Sequence, residues 1–187
     1  LSIMQRLSSV GGIISGSLAL RKQGTIYRAS QDTLHDIDVM FSPDVEGSLF
    51  NVLPNINRFD PFWTPERLKN SIANLPFYQN LKQQIPGLHL ITAFHTDAGV
   101  LGSAVVCDNE ELVQKFANMT GNYASRLAQL TQEERDQLYI IDLMFNNSNY
   151  GSVNSIHDAD NDINLANYTV PFKYKLKMGR AKDLFDY

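Results

Sequence analysis

The segment 35–41, HDIDVMF, alternates between polar and apolar side chains, and this alternation constrains the fold more than any other feature of the chain. A period of two is typical of a β-strand that buries one face and leaves the other half-open. One face carries Ile37, Val39 and Phe41, and the other carries Asp36, Asp38 and Met40. The chain must therefore build a sheet with a packed core on one side and a pair of carboxylates on the other.

Predicted helices and strands alternate along the rest of the chain. Further strands are predicted at 13–14, 88–94, 100–107, 138–145 and 163–172. Helices are predicted at 18–23, 65–74, 77–85, 109–129 and 173–187, and the segment 43–64, rich in Pro, Asn and Asp, is predicted as a long loop. This order predicts an α/β fold, built as an α+β sandwich.

Composition narrows the class of protein. The 187 residues suffice for one domain, and 43% apolar content suffices for a core. A net charge of −4 excludes a strongly cationic nucleic-acid scaffold, and a single cysteine, Cys107, excludes an internal disulfide framework. No apolar run reaches the roughly 18–20 residues that cross a bilayer, so we expect a soluble, cytoplasmic protein. The chain ends inside a predicted helix, which is compatible with a piece of a longer protein.

Charge is distributed unevenly along the chain. Residues 1–28 contain four basic residues and no acid, and residues 171–187 contain five basic residues and two acids. The middle, 29–170, contains seven basic residues and eighteen acids. If the two ends meet in the fold, they form a cationic wall that faces acidic groups of the middle; the alternative is a set of solvated charged faces.

Asp36 and Asp38 form the strongest candidate site. Residues i and i+2 of a strand point to the same side, so the two carboxylates project together and repel each other. A divalent cation relieves this repulsion, and a hard ion such as Mg²⁺ prefers carboxylate oxygen. The alternative is an ordinary solvated strand face, on which the pattern Asp-x-Asp is common.

Asp142 is predicted as a third acid of this site. It interrupts the apolar run 138–145, where an unpaired carboxylate is costly to bury. Its strand is expected to lie beside 35–41, with its carboxylate within about 4–6 Å of the first pair. An edge strand that turns Asp142 to water is the alternative. Three other acids could serve instead, and their contexts indicate turns or a helix start: Asp97, Asp108 and Asp158.

The tripeptide Ser15-Gly16-Ser17 lies between a predicted short strand and a predicted helix. Small residues allow backbone amides to approach a phosphate, and a helix N-terminus adds positive potential. Alone, the tripeptide is a weak motif, because Gly and Ser occur in many turns.

Together these features resemble the DNA polymerase beta-like nucleotidyltransferase superfamily. The opening SGSLAL of 15–20, followed by Gly24, Arg28 and the DID of 36–38, is similar to that of minimal bacterial nucleotidyltransferases, including AbiEii-type abortive-infection toxins. The run KLKMGRAKDLFD of 175–186 is similar to their closing K-x(4)-R-x-K-D-x-x-D segment. The resemblance covers 11–41, 138–145 and 171–187. It leaves 43–137 as an unmatched insertion in a single domain that spans 1–187.

The resemblance implies a mixed sheet flanked by helices and a metal-dependent transfer of a nucleoside monophosphate from a nucleoside triphosphate to a hydroxyl acceptor. It implies that Asp36, Asp38 and Asp142 are catalytic and hold Mg²⁺ or Mn²⁺, with Asp142 also acting as the base. The residues that it implies for nucleotide binding are Gly16, Ser17, Arg28, Lys175 and Arg180. Implied partners are a nucleoside triphosphate such as ATP, an acceptor (an RNA 3′ end, a protein or a small molecule) and an antitoxin, with no membrane.

A second interpretation has a different consequence for function. The chain could be a catalytically silent nucleotidyltransferase-like domain that serves as a binding or interaction module of a larger protein. The presence of all three acids favours an active enzyme. The segment 43–137 matches no known motif, so the silent module stays the alternative.

Overall fold

A seven-stranded mixed sheet organises the computed structural model, which describes residues 2–16, 36–121, 123–151 and 153–167. The strands are β1 (Ile13–Ser15), β2 (Asp36–Phe41), β3 (Leu88–Thr96), β4 (Gly99–Val106), β5 (Tyr139–Asn146), β6 (Ser155–Asp158) and β7 (Ile163–Ala166). Their order across the sheet is β3-β4-β5-β2-β1-β7-β6. The predicted α/β class is therefore confirmed.

Two parallel pairings lie among antiparallel ones. Strand β2 pairs in parallel with β5, and β1 pairs in parallel with β7, whereas every other neighbouring pair is antiparallel. A parallel pair needs a long crossover connection, which for β2 and β5 contains the hairpin β3–β4. The segment 43–137 thus adds two strands to one edge of the same sheet.

Helices cover both faces of this sheet. In the described ranges they are α1 (Ile3–Ser9), α2 (Leu49–Val52), α3 (Pro65–Ala73), α4 (Pro76–Gln84), α5 (Glu110–Ala117), α6 (Tyr123–Ala128) and α7 (Gln132–Asp136). The main core packs helices α1 to α4 against one face, where Val39, Leu143 and Phe145 are buried. A smaller second core packs α5 and its neighbours against the opposite face, around Val105 and Ile140. None of these helices combines the length and apolar character that a bilayer crossing requires.

Several predicted elements are confirmed almost to the residue. Strand β2 buries Ile37, Val39 and Phe41 and leaves the alternate side chains half-buried. Helix α3 begins at Pro65 because the Thr64 side chain accepts a hydrogen bond from the backbone N–H of Arg67. The hairpin β3–β4 and strand β5 also lie where the sequence predicts them.

Other predictions need correction. The single helix predicted over 109–129 is two helices: α5 ends at Ala117, and Gly121, whose φ of +94° does not fit a regular helix, lies between it and α6. The predicted loop 43–64 contains the short helix α2. Helix α1 was not predicted, although Ser2 and Gln5 form a capping box. The predicted helices 18–23 and 173–187 lie outside the described residues.

The two ends of the described chain do meet. Strand β1 pairs with β7, and Asn164 donates its backbone N–H to the Ser8 hydroxyl at 3.0 Å. Of the nine basic residues near the chain ends, Arg6 lies within the described ranges. The cationic wall therefore stays a prediction.

Candidate metal centre

A row of polar side chains crosses four adjacent strands of the sheet. Ser15 of β1 is opposite Asp38 of β2, Asp38 is opposite Asp142 of β5, and Asp142 is opposite Ser103 of β4. Because paired residues on neighbouring strands project to the same side, all four side chains share one face. This is the face that carries the second core, not the main one.

Asp36 joins this row from the preceding position of β2 on the same face. The cluster consists of three half-buried acids, Asp36, Asp38 and Asp142. One carboxylate oxygen of each acid lies within 4.8 Å of the corresponding oxygens of the other two. The structure thus brings together the three acids that the sequence singled out. Their roles in metal binding and catalysis stay predictions.

The three other acids considered from the sequence lie away from the cluster. Asp97 lies in the β3–β4 turn and forms an ion pair with Arg58. Asp158 ends β6 and accepts hydrogen bonds from the two backbone N–H groups of the following turn, including that of Asp160 at 3.1 Å. Asp108 directly precedes Asn109, which caps helix α5. None of the three belongs to the cluster.

Burial and the neighbouring acids perturb the pKa of Asp142. Burial raises the pKa of the Asp142 carboxyl well above its usual range, and the charges of Asp38 and Asp36 raise it further. A hydrogen bond shared with Asp38 acts in the same direction, whereas a hydrogen bond from Ser103 opposes the rise. In the absence of a cation, the cluster therefore holds a proton more tightly than separate carboxylates would.

The acids fit a divalent metal ion. A cluster of converging carboxylate oxygens is the donor set that Mg²⁺ and Mn²⁺ prefer, and a bound cation offsets the mutual repulsion that raises the pKa of Asp142. The triad Asp36, Asp38 and Asp142 can therefore bind a metal ion.

Within the described ranges, helices cover this face of the sheet on one side of the acids but not on the other. Ile140 and Val105 lie one step along their strands and are buried by the second core. In the opposite direction, a second row carries side chains that are half-buried or, for Phe94, exposed: Met40, Met144, Leu101 and Phe94. Among the residues that the structure describes, the acids thus lie where helices α5 and α6 stop covering the sheet.

Gly16 approaches the cluster closely. It follows β1 with a φ of +66°, and a Cβ at this position would overlap the Asp38 carboxylate, whose Cγ would be 3.0 Å away. Glycine is thus required by both conformation and space. The other residues predicted to bind nucleotide lie outside the described residues: Ser17, Arg28, Lys175 and Arg180.

Comparisons with known proteins gave two similar structures. No family model and no curated protein matches the chain. The structure of JHP933 from Helicobacter pylori is similar at 16% identity with a TM-score of 0.42, covering 98% of this chain and 59% of that one. A candidate nucleotidyltransferase from H. pylori is similar at 16% identity with a TM-score of 0.40, covering 98% and 61%. The chain spans about three fifths of the length of each.

Sequence reasoning missed two hydroxyl residues beside the acids, Ser103 and Tyr123. The Ser103 hydroxyl donates a hydrogen bond to Asp142 Oδ1 at 3.3 Å. The sequence signal for Ser103 is its position as a serine within the apolar run 100–107. That signal does not reveal which strand lies next to β4. Tyr123 gave no signal, because it lies in a segment predicted as the middle of a long helix.

We expect Gly16→Ala to destabilise the protein and to weaken binding of Mn²⁺. A left-handed backbone costs a non-glycine residue about 1–2 kcal/mol, and the added methyl group also displaces the Asp38 carboxylate. Gly151→Ala is the matched control, because Gly151 has a φ of +76° and no atom within 4 Å of the added Cβ. Thermal unfolding and Mn²⁺ titration of both variants measure the difference. Equal Mn²⁺ affinities would contradict the close approach to Asp38.

The stability of the metal-free protein is expected to fall as pH rises above about 4, the usual carboxyl pKa. Because the native pKa of Asp142 is raised, the folded state binds more protons than the unfolded state between the two pKa values, so the unfolding free energy decreases with pH there. Asp142→Asn should remove this decrease, whereas Asp44→Asn, a substitution at an exposed residue, should not. Unfolding in EDTA across this pH range tests the sign; a variant that keeps the decrease would contradict it.

Proposed function

We propose that the chain is a metal-dependent nucleotidyltransferase that transfers a nucleoside monophosphate from a nucleoside triphosphate to a hydroxyl acceptor. The observation that carries the proposal is the convergence of Asp36, Asp38 and Asp142 from two adjacent parallel strands onto one face of the sheet. The glycine turn after β1, directly against Asp38, supports it. A nucleotidyltransferase-like fold is part of this proposal.

Asp36, Asp38 and Asp142 would hold the metal. Two divalent cations, when bound, supply positive charge to the attacking and leaving oxygens of an in-line displacement at the α-phosphate. Asp142 accepts the proton of the acceptor hydroxyl, the role that the resemblance implies for it. The acceptor oxygen bonds to the α-phosphorus, the bond to the bridging oxygen breaks, and pyrophosphate leaves.

The remaining roles rest on the resemblance to the family. Gly16 and Ser17 would bind the β- and γ-phosphates through backbone amides. Lys175, together with Arg28 or Arg180, would neutralise the triphosphate as fixed positive charges. A cytoplasmic location and an antitoxin partner remain predictions of the same resemblance.

The experiment that tests the function is transfer of label from each of the four α-³²P-labelled nucleoside triphosphates in the presence of Mg²⁺ or Mn²⁺. Total RNA, the protein itself and small hydroxyl compounds serve as acceptors in separate reactions. We expect label to move to one acceptor class with release of pyrophosphate and to stop when EDTA is added. Binding of nucleotide without transfer to any acceptor would favour the catalytically silent module.

Lys175→Ala is expected to weaken binding of a nucleoside triphosphate by about 1–3 kcal/mol, the range for a lost charge-assisted contact. Lys177→Ala is the matched control, because two residues along the predicted helix the side chain points elsewhere. Isothermal titration with a non-hydrolysable analogue and Mn²⁺ compares the two variants. Equal losses would indicate a general electrostatic field and would remove Lys175 from the site.

A further inference from the structure

Ser103 occupies a defined position next to the third carboxylate. It lies on β4 directly opposite Asp142 in the antiparallel pairing, and only 4% of its surface is exposed. Its hydroxyl donates to Asp142 Oδ1 at 3.3 Å. A serine hydroxyl has one proton, so this contact uses its donor and leaves its lone pairs available to accept.

Tyr123 approaches the same carboxylate from above the sheet. Its ring packs against Phe116 with the centroids 5.4 Å apart, which anchors it in the second core. Its hydroxyl oxygen is buried next to the Ser103 side chain and lies in the field of Asp142 and Asp36. A buried hydroxyl that loses its hydrogen bond costs about 1–3 kcal/mol, so Ser103 is the partner that this hydroxyl needs.

We propose that Ser103 and Tyr123 are positioning residues that orient Asp142 for metal binding. This inference rests on the proposed function and adds two residues to its site. The Tyr123 hydroxyl donates to Ser103 Oγ, and Ser103 in turn donates to Asp142. This chain of hydroxyls restrains rotation of the Asp142 carboxylate, which otherwise turns about its Cβ–Cγ bond.

The restraint matters most at Asp142 because the three carboxylates come from two different strands. Asp36 and Asp38 share one strand, so β2 alone fixes their relative position. Asp142 comes from another strand and must be oriented independently. Partners that hold a metal-ligating carboxylate typically change metal affinity by about 10- to 100-fold when they are removed.

The test is the affinity of the full 187-residue chain for Mn²⁺ alone, followed by the electron paramagnetic resonance signal of the free ion. We expect Ser103→Ala and Tyr123→Phe each to raise the Kd by about 10-fold or more. The double variant should be less affected than the product of the two single effects, because both residues act through one chain of hydrogen bonds. Ser48→Ala is the matched control: Ser48 is a buried serine whose hydroxyl contacts the backbone of Ser42, away from the acids.

Each outcome separates the inference from the function on which it rests. If the unaltered chain binds Mn²⁺ and the single variants bind it equally well, Ser103 and Tyr123 have no positioning role, and the proposed function stands. If Ser48→Ala weakens Mn²⁺ binding as much as Ser103→Ala does, the effect is one of general stability and the inference fails. If the unaltered chain does not bind Mn²⁺, both proposals fail. Tyr123→Phe retains the ring and its packing, so it decides the matter even if Ser103→Ala does not fold.

Discussion

Asp38→Asn is expected to reduce metal-dependent nucleotidyl transfer by about 10³-fold or more, because loss of a carboxylate from a metal-binding triad removes several kcal/mol of charge stabilisation in the transition state. Asp38 is the central residue of the cluster: it lies opposite Asp142, its carboxylate shares a hydrogen bond with that residue, and Gly16 approaches it closely. The protein should nevertheless fold, since loss of one charge relieves repulsion among the acids. Initial rates with an α-³²P-labelled triphosphate and melting temperatures in EDTA give the two measurements.

Asp44→Asn is the control for this substitution. Asp44 is exposed and lies outside the cluster, so the same chemical change there should leave both transfer and melting temperature unchanged. Full transfer by Asp38→Asn would exclude the cluster as the active site. A transfer-deficient Asp38→Asn that also melts far below the unaltered protein would instead indicate that Asp38 supports the fold.

Phe145→Ala should lower the free energy of unfolding by about 3–5 kcal/mol, the usual cost of removing a buried aromatic ring. Phe145 is 1% exposed and lies on the face of β5 opposite Asp142. Its ring stacks on Phe41 with the centroids 5.5 Å apart and meets the edge of Phe77 at 6.4 Å. The substitution therefore opens a cavity in the main core, against the face of β2 and β5, the two strands that carry the acids.

Urea unfolding in EDTA measures this loss. Phe59→Ala is the control, because Phe59 is 82% exposed and its removal leaves no cavity, so we expect a change within about 1 kcal/mol. A loss at Phe145 no larger than that at Phe59 would contradict the packing described for the main core.

The sequence predicted what depends on local pattern. The alternation in β2 defined the strand, its buried face and the shared side of Asp36 and Asp38, and Thr64-Pro65 defined the start of α3. The predicted position of the Asp142 strand beside β2 is confirmed, although local pattern alone does not reveal which distant strands pair. Placing Asp142 there needed a resemblance as well as its apolar neighbours.

The remaining differences have identifiable causes. The break at Gly121 was visible in the sequence, but the apolar periodicity on either side favoured one continuous helix. Strand β6 has no buried alternate positions, since Ser155, Ile156 and His157 are all exposed, so nothing in its pattern indicates a strand. The single-domain organisation and the roles of Lys175, Arg28 and Arg180 remain predictions.

The pairing of β2 with β5 has a consequence for when the site can exist during synthesis. Asp142 follows Asp38 by about 100 residues, and closing a loop of that length costs on the order of 4 kcal/mol of chain entropy. A nascent chain that has emerged from the ribosome only as far as β4 carries Asp36 and Asp38. Such a chain lacks Asp142 and the strand that lies between β2 and β4 in the sheet. The three acids can therefore come together only after β5 has been synthesised and has paired with β2 and β4.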